Sequence, residues 1–115
     1  MKFSIRRSVF IKELSNVQRA ISSKTTIPIL TGLKLVATDN GLTLTGSNAD
    51  ISIETTISAS DEDNALAIAS TGAIVLPARF FSEIIKRLPE ETFQLEVTEG
   101  FQTEITSGSA SFNVN

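Results

Sequence analysis

Cysteine, histidine, tryptophan and tyrosine are all absent from the 115-residue sequence. Without cysteine there is no disulfide framework, no thiolate metal ligand and no thiol nucleophile. Without histidine the commonest general base and the commonest zinc ligand are missing. The only aromatics are seven phenylalanines, most of them in phase with a buried face, which leaves little for stacking single-stranded bases. No run approaches the roughly 18 apolar residues of a membrane span, and the opening "MKFSIRR" lacks the apolar core of a signal peptide. A soluble cytoplasmic protein without membrane association is expected.

Catalytic patterns are missing as well. Asp61, Glu62 and Asp63 form an acidic run, but the glycine and distal glutamate of a calcium loop do not follow it, so a solvated loop is expected and no metal site. Gly100 and Gly108 sit at turns rather than in a phosphate-binding loop. The serines have no base beside them in a nucleophile motif. The expectation is a protein that is not an enzyme and needs no cofactor.

Short alternating runs are abundant. Leu33, Leu35 and Ala37 alternate with more polar neighbours, as do Leu42 and Leu44, then Ile51, Ile53 and Ile57. "DNG" at 39–41 reads as a turn tolerating positive φ. Phe93, Leu95 and Val97 begin a second series that closes with Ala110, Phe112 and Val114. Period two between glycine turns predicts antiparallel strands with one buried face.

Two segments have helical period instead. In residues 9–22, behind a possible N-cap at Ser8, Phe10, Leu14, Val17 and Ile21 form one stripe. In "LPARFFSEIIKRLPE" the stripe is Phe81, Ile84, Ile85 and Leu88 with Phe80 on its flank; Pro77 suits a first turn and Pro89 a stop. Each helix is too short to stand alone and needs a sheet to bury its stripe. The element order repeats: strand, helix and three strands over 1–58, an acidic connector at 60–64, then the same order over 66–115. The predicted fold is α+β: two β-α-β-β-β repeats in one domain, with two helices on one side and antiparallel sheets on the other.

Charge is unevenly placed. The chain carries 10 Lys+Arg against 13 Asp+Glu, a net −3. Residues 6–24 and 77–88, which include both helices, hold eight bases and two acids; the remainder holds two bases and eleven acids. At about 100° per residue, Lys12, Ser15, Asn16, Arg19 and Ser23 lie opposite the first apolar stripe, and Arg79, Ser82, Glu83 and Lys86 opposite the second. Such a face can be a solvated one with local ion pairs, since Glu83 is at helical spacing from Arg79, Lys86 and Arg87. Two basic helices set against acidic strands also suit a polyanion held by its phosphates without regard to sequence.

Several motifs, in order, resemble the first domain of the bacterial DNA sliding clamp family, the beta subunit of DNA polymerase III, in the style of a Gram-positive member. They are "MKFSI", "TTIPILTGLKL", "LTLTGSNADISIE", "LPARFFSEIIKRLP" and "ITSGSASF", and they cover the chain's whole length. The resemblance implies a clamp fold with two helices lining a hole and sheets outside. It implies a head-to-tail homodimer ring of three-domain subunits that slides on duplex DNA as a non-catalytic processivity factor. On that reading the chain is an N-terminal domain fragment. The contacts of the replicative polymerase and the clamp loader then lie mainly in parts absent here. Lys24, in "SSKTTIPIL", aligns with a basic DNA contact that is often arginine, so its charge is kept but the bidentate fork is not. Arg79, in "LPAR", matches a second such contact; Lys12, Arg19 and Lys86 are added from helical phase. The last strand, Ser109 to Val114, maps onto the edge that pairs with a second subunit, with Phe112 and Val114 at apolar interface positions. Plain core packing is the alternative for both.

Two other readings compete. An independent, sequence-nonspecific nucleic-acid-binding module would bind usefully as these 115 residues alone. A β-rich adhesion or assembly domain would suit the 27 serines and threonines but gives no reason for basic helix faces.

Overall fold

The computed structural model describes residues 1–18, 32–47 and 52–114. In chain order the elements are β1 (Lys2–Arg6), α1 (Arg7–Gln18), β2 (Gly32–Thr38), β3 (Gly41–Ser47), β4 (Ser52–Ser58), β5 (Ala67–Ser70), β6 (Gly72–Pro77), α2 (Ala78–Lys86), β7 (Thr92–Val97), β8 (Thr103–Ser107) and β9 (Ala110–Val114). Two antiparallel sheets result, one ordered β5-β1-β7-β8-β9 and the other β4-β3-β2-β6. The alternation seen in the sequence sets their faces. Phe3, Ile5, Leu33, Leu35, Leu42, Leu44, Phe93, Leu95 and Ile105 point inward and are buried, and their polar neighbours point away.

The halves exchange their first strands. β1 lies beside β7, pairing Phe3 with Leu95 and Ile5 with Phe93. β6 lies beside β2, pairing Leu35 with Ile74 and Leu33 with Leu76. One core therefore serves both halves. At its centre Phe10 of α1 meets Phe81 of α2 and Phe93 of β7 edge-on, with ring centroids 5.7 and 5.3 Å apart. This is the geometry that brings ring edges onto ring faces.

β5 is not predicted by periodicity. "AIAS" is four residues long and mostly alanine or serine, so its apolar signal is slight. It forms because β1 offers it an antiparallel partner, with Phe3 opposite Ile68. The acidic run before it is a short 3-10 turn, Glu62–Asn64, capped by the Asp61 side chain, which accepts from the Asp63 amide at 3.0 Å.

The N-cap expected at Ser8 is not used. β1 runs straight into α1, which begins at Arg7, and the Arg7 amide donates to the Glu91 carbonyl at 2.6 Å. A neighbouring loop thus satisfies one of the helix's first free amides, and no side chain is required there. The expected helix over 9–22 extends beyond the described residues. Pro77 ends β6 and stands at the N-cap of α2 rather than in its first turn. α2 ends at Lys86, where the Arg7 guanidinium closes it: Nη1 lies 3.5 Å from the Lys86 carbonyl oxygen and Nε donates to the Glu90 carbonyl at 3.2 Å. A cation there complements the negative end of the helix.

The turn at 39–41 also departs from expectation. Thr38 pairs with Gly41 across a two-residue tip, yet none of these residues has positive φ. Gly41 is required for a different reason. A Cβ on it would stand 2.3 Å from the Ile57 carbonyl oxygen of β4. Gly41→Ala is expected to cost about 1–3 kcal/mol, the range for overpacking. In a urea titration the midpoint should fall with little change in slope.

Thr103, at the start of β8, is buried, and its hydroxyl has no hydrogen-bond partner among the described residues. Valine keeps the branched shape and suits a strand. Removing an unbonded buried hydroxyl should therefore help, because leaving such a group unsatisfied costs about 1–3 kcal/mol. Thr103→Val is expected to raise the midpoint of thermal unfolding by several degrees, measured by circular dichroism. A fall would show that the hydroxyl is satisfied in solution.

Candidate nucleic-acid interface

α1 and α2 pack against each other on the inner side of the sheets. α1 also lies against β3 and β4, where its Glu13 carboxylate accepts from the Thr55 hydroxyl. Among the described residues each helix buries its stripe, Phe10, Leu14 and Val17 on α1 and Phe81, Ile84 and Ile85 on α2, and turns its other side to solvent. Lys12 and Ser15 are exposed on α1; Glu83, Lys86 and Arg87 are exposed on or just after α2. Lys12 and Lys86, both chosen from helical phase, thus lie on solvent-facing sides of adjacent helices.

The other predicted positions fare differently. Arg79 lies in the first turn of α2, and its side chain is outside the described residues, as are Arg19 and Lys24 altogether. Ser82 was expected on the solvated face and is buried. The buried arc of α2 runs from Ile84 through Phe81, Leu88 and Ile85 to Ala78 and Ser82, wider than the four-residue stripe suggested. Phe80 goes the other way: it is 58% exposed, on the solvent side.

Not every base in the two basic windows serves the helical face. Arg6 alternates with Ile5 and leaves β1 on its outward side. Arg7 is engaged at the end of α2. Arg87 pairs with Glu83 at 3.7 Å, four residues apart, an exposed pair of the kind that contributes about 0.3–0.5 kcal/mol. Proximity in sequence overstated the positive face, because a strand and a helix end absorb two of the cations.

Acids lie elsewhere. Glu104 faces Glu96 across β8 and β7, and both alternate with buried neighbours, so they leave the sheet on its outward side. Glu54 does the same on β4. Like charges directly opposite each other are mildly unfavourable in a sheet. On the sheets these acids are matched by Lys2, which lies opposite Glu96, and by Arg6 and Lys34. The acids in excess of bases are exposed in turns and loops, among them Asp39, Asp61, Glu62, Asp63 and Glu99, while the inner helical side carries exposed lysines.

The strand proposed for a subunit contact lies where expected. Among the described residues β9 pairs only with β8 and forms one border of its sheet. Its span is one residue shorter than predicted, because Gly108, at φ +57°, and Ser109 form the two-residue turn between Ser107 and Ala110. Ser109 is exposed in that turn and Phe112 is half-buried. Val114 is buried in the chain's own core, at 7% exposure, so its side chain follows the packing alternative.

The fold is that of a sliding-clamp domain. It matches the solved Bacillus subtilis DNA polymerase sliding clamp with a TM-score of 0.92 at 49% identity, over the whole of this chain and 30% of that one. It matches the DNA polymerase III beta chain of Streptococcus pneumoniae with a TM-score of 0.94 at 42% identity, over 99% of this chain and 30% of that one. The family described as DNA polymerase III beta subunit, N-terminal domain, matches residues 1–115, and the chain belongs to it. The curated Bacillus subtilis beta sliding clamp is 49% identical over 116 residues, covering all of this chain, and the Staphylococcus aureus one is 47% identical over the same span. The chain spans 31% of the length of each.

Proposed function

We propose that this domain supplies part of the DNA-facing wall of a ring that encircles duplex DNA and keeps a replicative polymerase on it, without catalysis of its own. The observation that carries the reading is the placement of charge: Lys12 and Lys86 are exposed on two adjacent helices, while the acids that outnumber bases elsewhere are exposed in turns and loops, among them Asp39, Asp61, Glu62 and Asp63. The naming of its relatives as beta sliding clamps supports the ring. Lys12, Arg19, Lys24, Arg79 and Lys86 are the proposed phosphate contacts. The chain is proposed as one clamp domain of two repeats, 1–58 and 66–115, a division supported by the reciprocal β1–β7 and β2–β6 pairings. In the ring, β9 would continue its sheet into a second subunit, through backbone groups and Phe112. Polymerase and clamp loader are proposed to dock mainly on other parts of the ring, in the cytoplasm.

With few phosphate contacts and no enclosing ring, this chain alone should bind duplex DNA weakly and without sequence preference. Its salt dependence should follow a slope of about −0.9 per phosphate contact. Titration of two unrelated duplexes at low and moderate salt tests this. Equal, salt-sensitive affinities are expected. Tight binding that survives salt, or preference for one duplex, would favour an independent nucleic-acid-binding module.

A further inference from the structure

We propose that this chain, on its own, forms a symmetric dimer by antiparallel pairing of β9 with β9 of a second copy. The inference concerns the same edge as the proposed ring contact but does not depend on DNA or on a ring.

β9 lacks the devices that usually protect a sheet border. "ASFNV" carries no charge and no proline, whereas charged side chains, proline and bulges are the common means of blocking an edge. Its pairing with β8 is regular from Ser107↔Ala110 to Thr103↔Val114. The opposite border of the same sheet, β5, lies against β2 of the other sheet. β5 is also only four residues long and its pairing with β1 shifts register between Lys2 and Phe3, so β9 is the longer and more regular border of the five-stranded sheet.

The backbone geometry selects one register. A two-residue hairpin closes on a hydrogen-bonded pair, here Ser107 with Ala110, and such pairs recur at every second position. Ala110, Phe112 and Val114 therefore turn their amides and carbonyls to β8, and Ser111 and Asn113 turn theirs to the free side. Two copies related by a two-fold axis can place Ser111 opposite Asn113 of the second copy, and Asn113 opposite its Ser111. Each of these pairs then exchanges both N–H···O bonds. The axis passes between the two copies of Phe112, which form a non-hydrogen-bonded pair, the arrangement in which side chains come closest. Phe112 is half-buried within its own chain, so the pairing would cover apolar surface that the monomer leaves in water. The outward-facing side chains at the junction, Ser111 and Asn113, are neutral, and no like charges oppose one another across the axis.

Sedimentation of the chain over a range of concentrations tests the proposal, together with Asn113→Pro. That substitution removes an outward amide and leaves the β8 ladder intact, a placement of proline that edge strands tolerate. The apparent mass should rise from 12.4 kDa toward twice that value, and Asn113→Pro should raise the dissociation constant at least about tenfold, equivalent to 1.4 kcal/mol. Hydrogen exchange on the unaltered chain gives a second reading should the variant fail to fold. The Ser111 and Asn113 amides should become protected as concentration rises. A monomeric mass throughout, an equally associating variant, or unchanged exchange at those two amides would each overturn the proposal. None of these outcomes bears on DNA binding, which is measured separately.

Discussion

Replacing Phe10 with alanine is expected to destabilise the domain by about 3–5 kcal/mol, the range for truncating a buried phenylalanine. Phe10 is fully buried, and its ring meets those of Phe81 and Phe93 edge-on. Each edge-to-face pair adds about 0.5–1.5 kcal/mol beyond the area buried. The effect is large against the roughly 5–15 kcal/mol that holds a small domain together. The position matters as much as the size. Phe10 is on α1, Phe81 on α2 and Phe93 on β7, so one side chain ties both helices to the five-stranded sheet. Urea unfolding should show a much lower midpoint, whereas Ser15→Ala, on the exposed side of the same helix, should stay within about 0.5 kcal/mol of the original. A destabilisation below about 1 kcal/mol for Phe10→Ala, far under the usual range, would mean that the two halves do not share one core.

Much of this architecture could be read from the sequence because its signals are local. Period-two alternation located β2, β3, β7 and β9, and two prolines bracketed α2. What could not be read depends on partners distant in the chain. Nothing in "KFSIR" says that β1 will lie beside β7 rather than with the strands of its own half. That choice depends on which neighbour covers Phe3 and Ile5, a property of the assembled core. β5 escapes a periodic reading because alanine and serine give almost no apolar signal, and a partner strand supplies its order instead.

The candidate site was legible to a similar degree. Helical phase placed Lys12 and Lys86 correctly on solvent-facing sides, since an amphipathic helix has only one way to bury its stripe. It misplaced Ser82, whose small side chain fits within a wider buried arc. It also could not reveal that Arg7 would be used at the end of α2, a hydrogen bond made across 79 residues of sequence. For the glycine of the 39–41 turn, sequence and structure give different reasons. Turn chemistry suggests positive φ, but the constraint is the approach of β4 to the Gly41 α-carbon.

Neutralising both exposed helical lysines, as Lys12→Gln with Lys86→Gln, is expected to weaken duplex DNA binding by at least about tenfold at low salt. It should also flatten the salt dependence by about 0.9 for each phosphate that the variant no longer neutralises. The matched control is Lys34→Glu. Lys34 is exposed on β2, where it alternates with buried Leu33 and Leu35 and so leaves the sheet on the outward side. Its reversal changes net charge by the same amount as the double neutralisation, so total charge is held constant and only its location differs. Affinity for the duplex should survive Lys34→Glu nearly unchanged if DNA is met by the helices. Long-range attraction, screened beyond about 10 Å at 0.1 M salt, leaves a small residual effect at most. The decisive measurement is titration of a single fluorescent duplex, at about 50 mM salt where phosphate binding is strong, with the original chain and these two variants. The helical-face account predicts that the double variant binds far more weakly and that Lys34→Glu keeps its affinity. Equal weakening in both would show that net charge alone governs binding, and a greater weakening in Lys34→Glu would place DNA on the sheets.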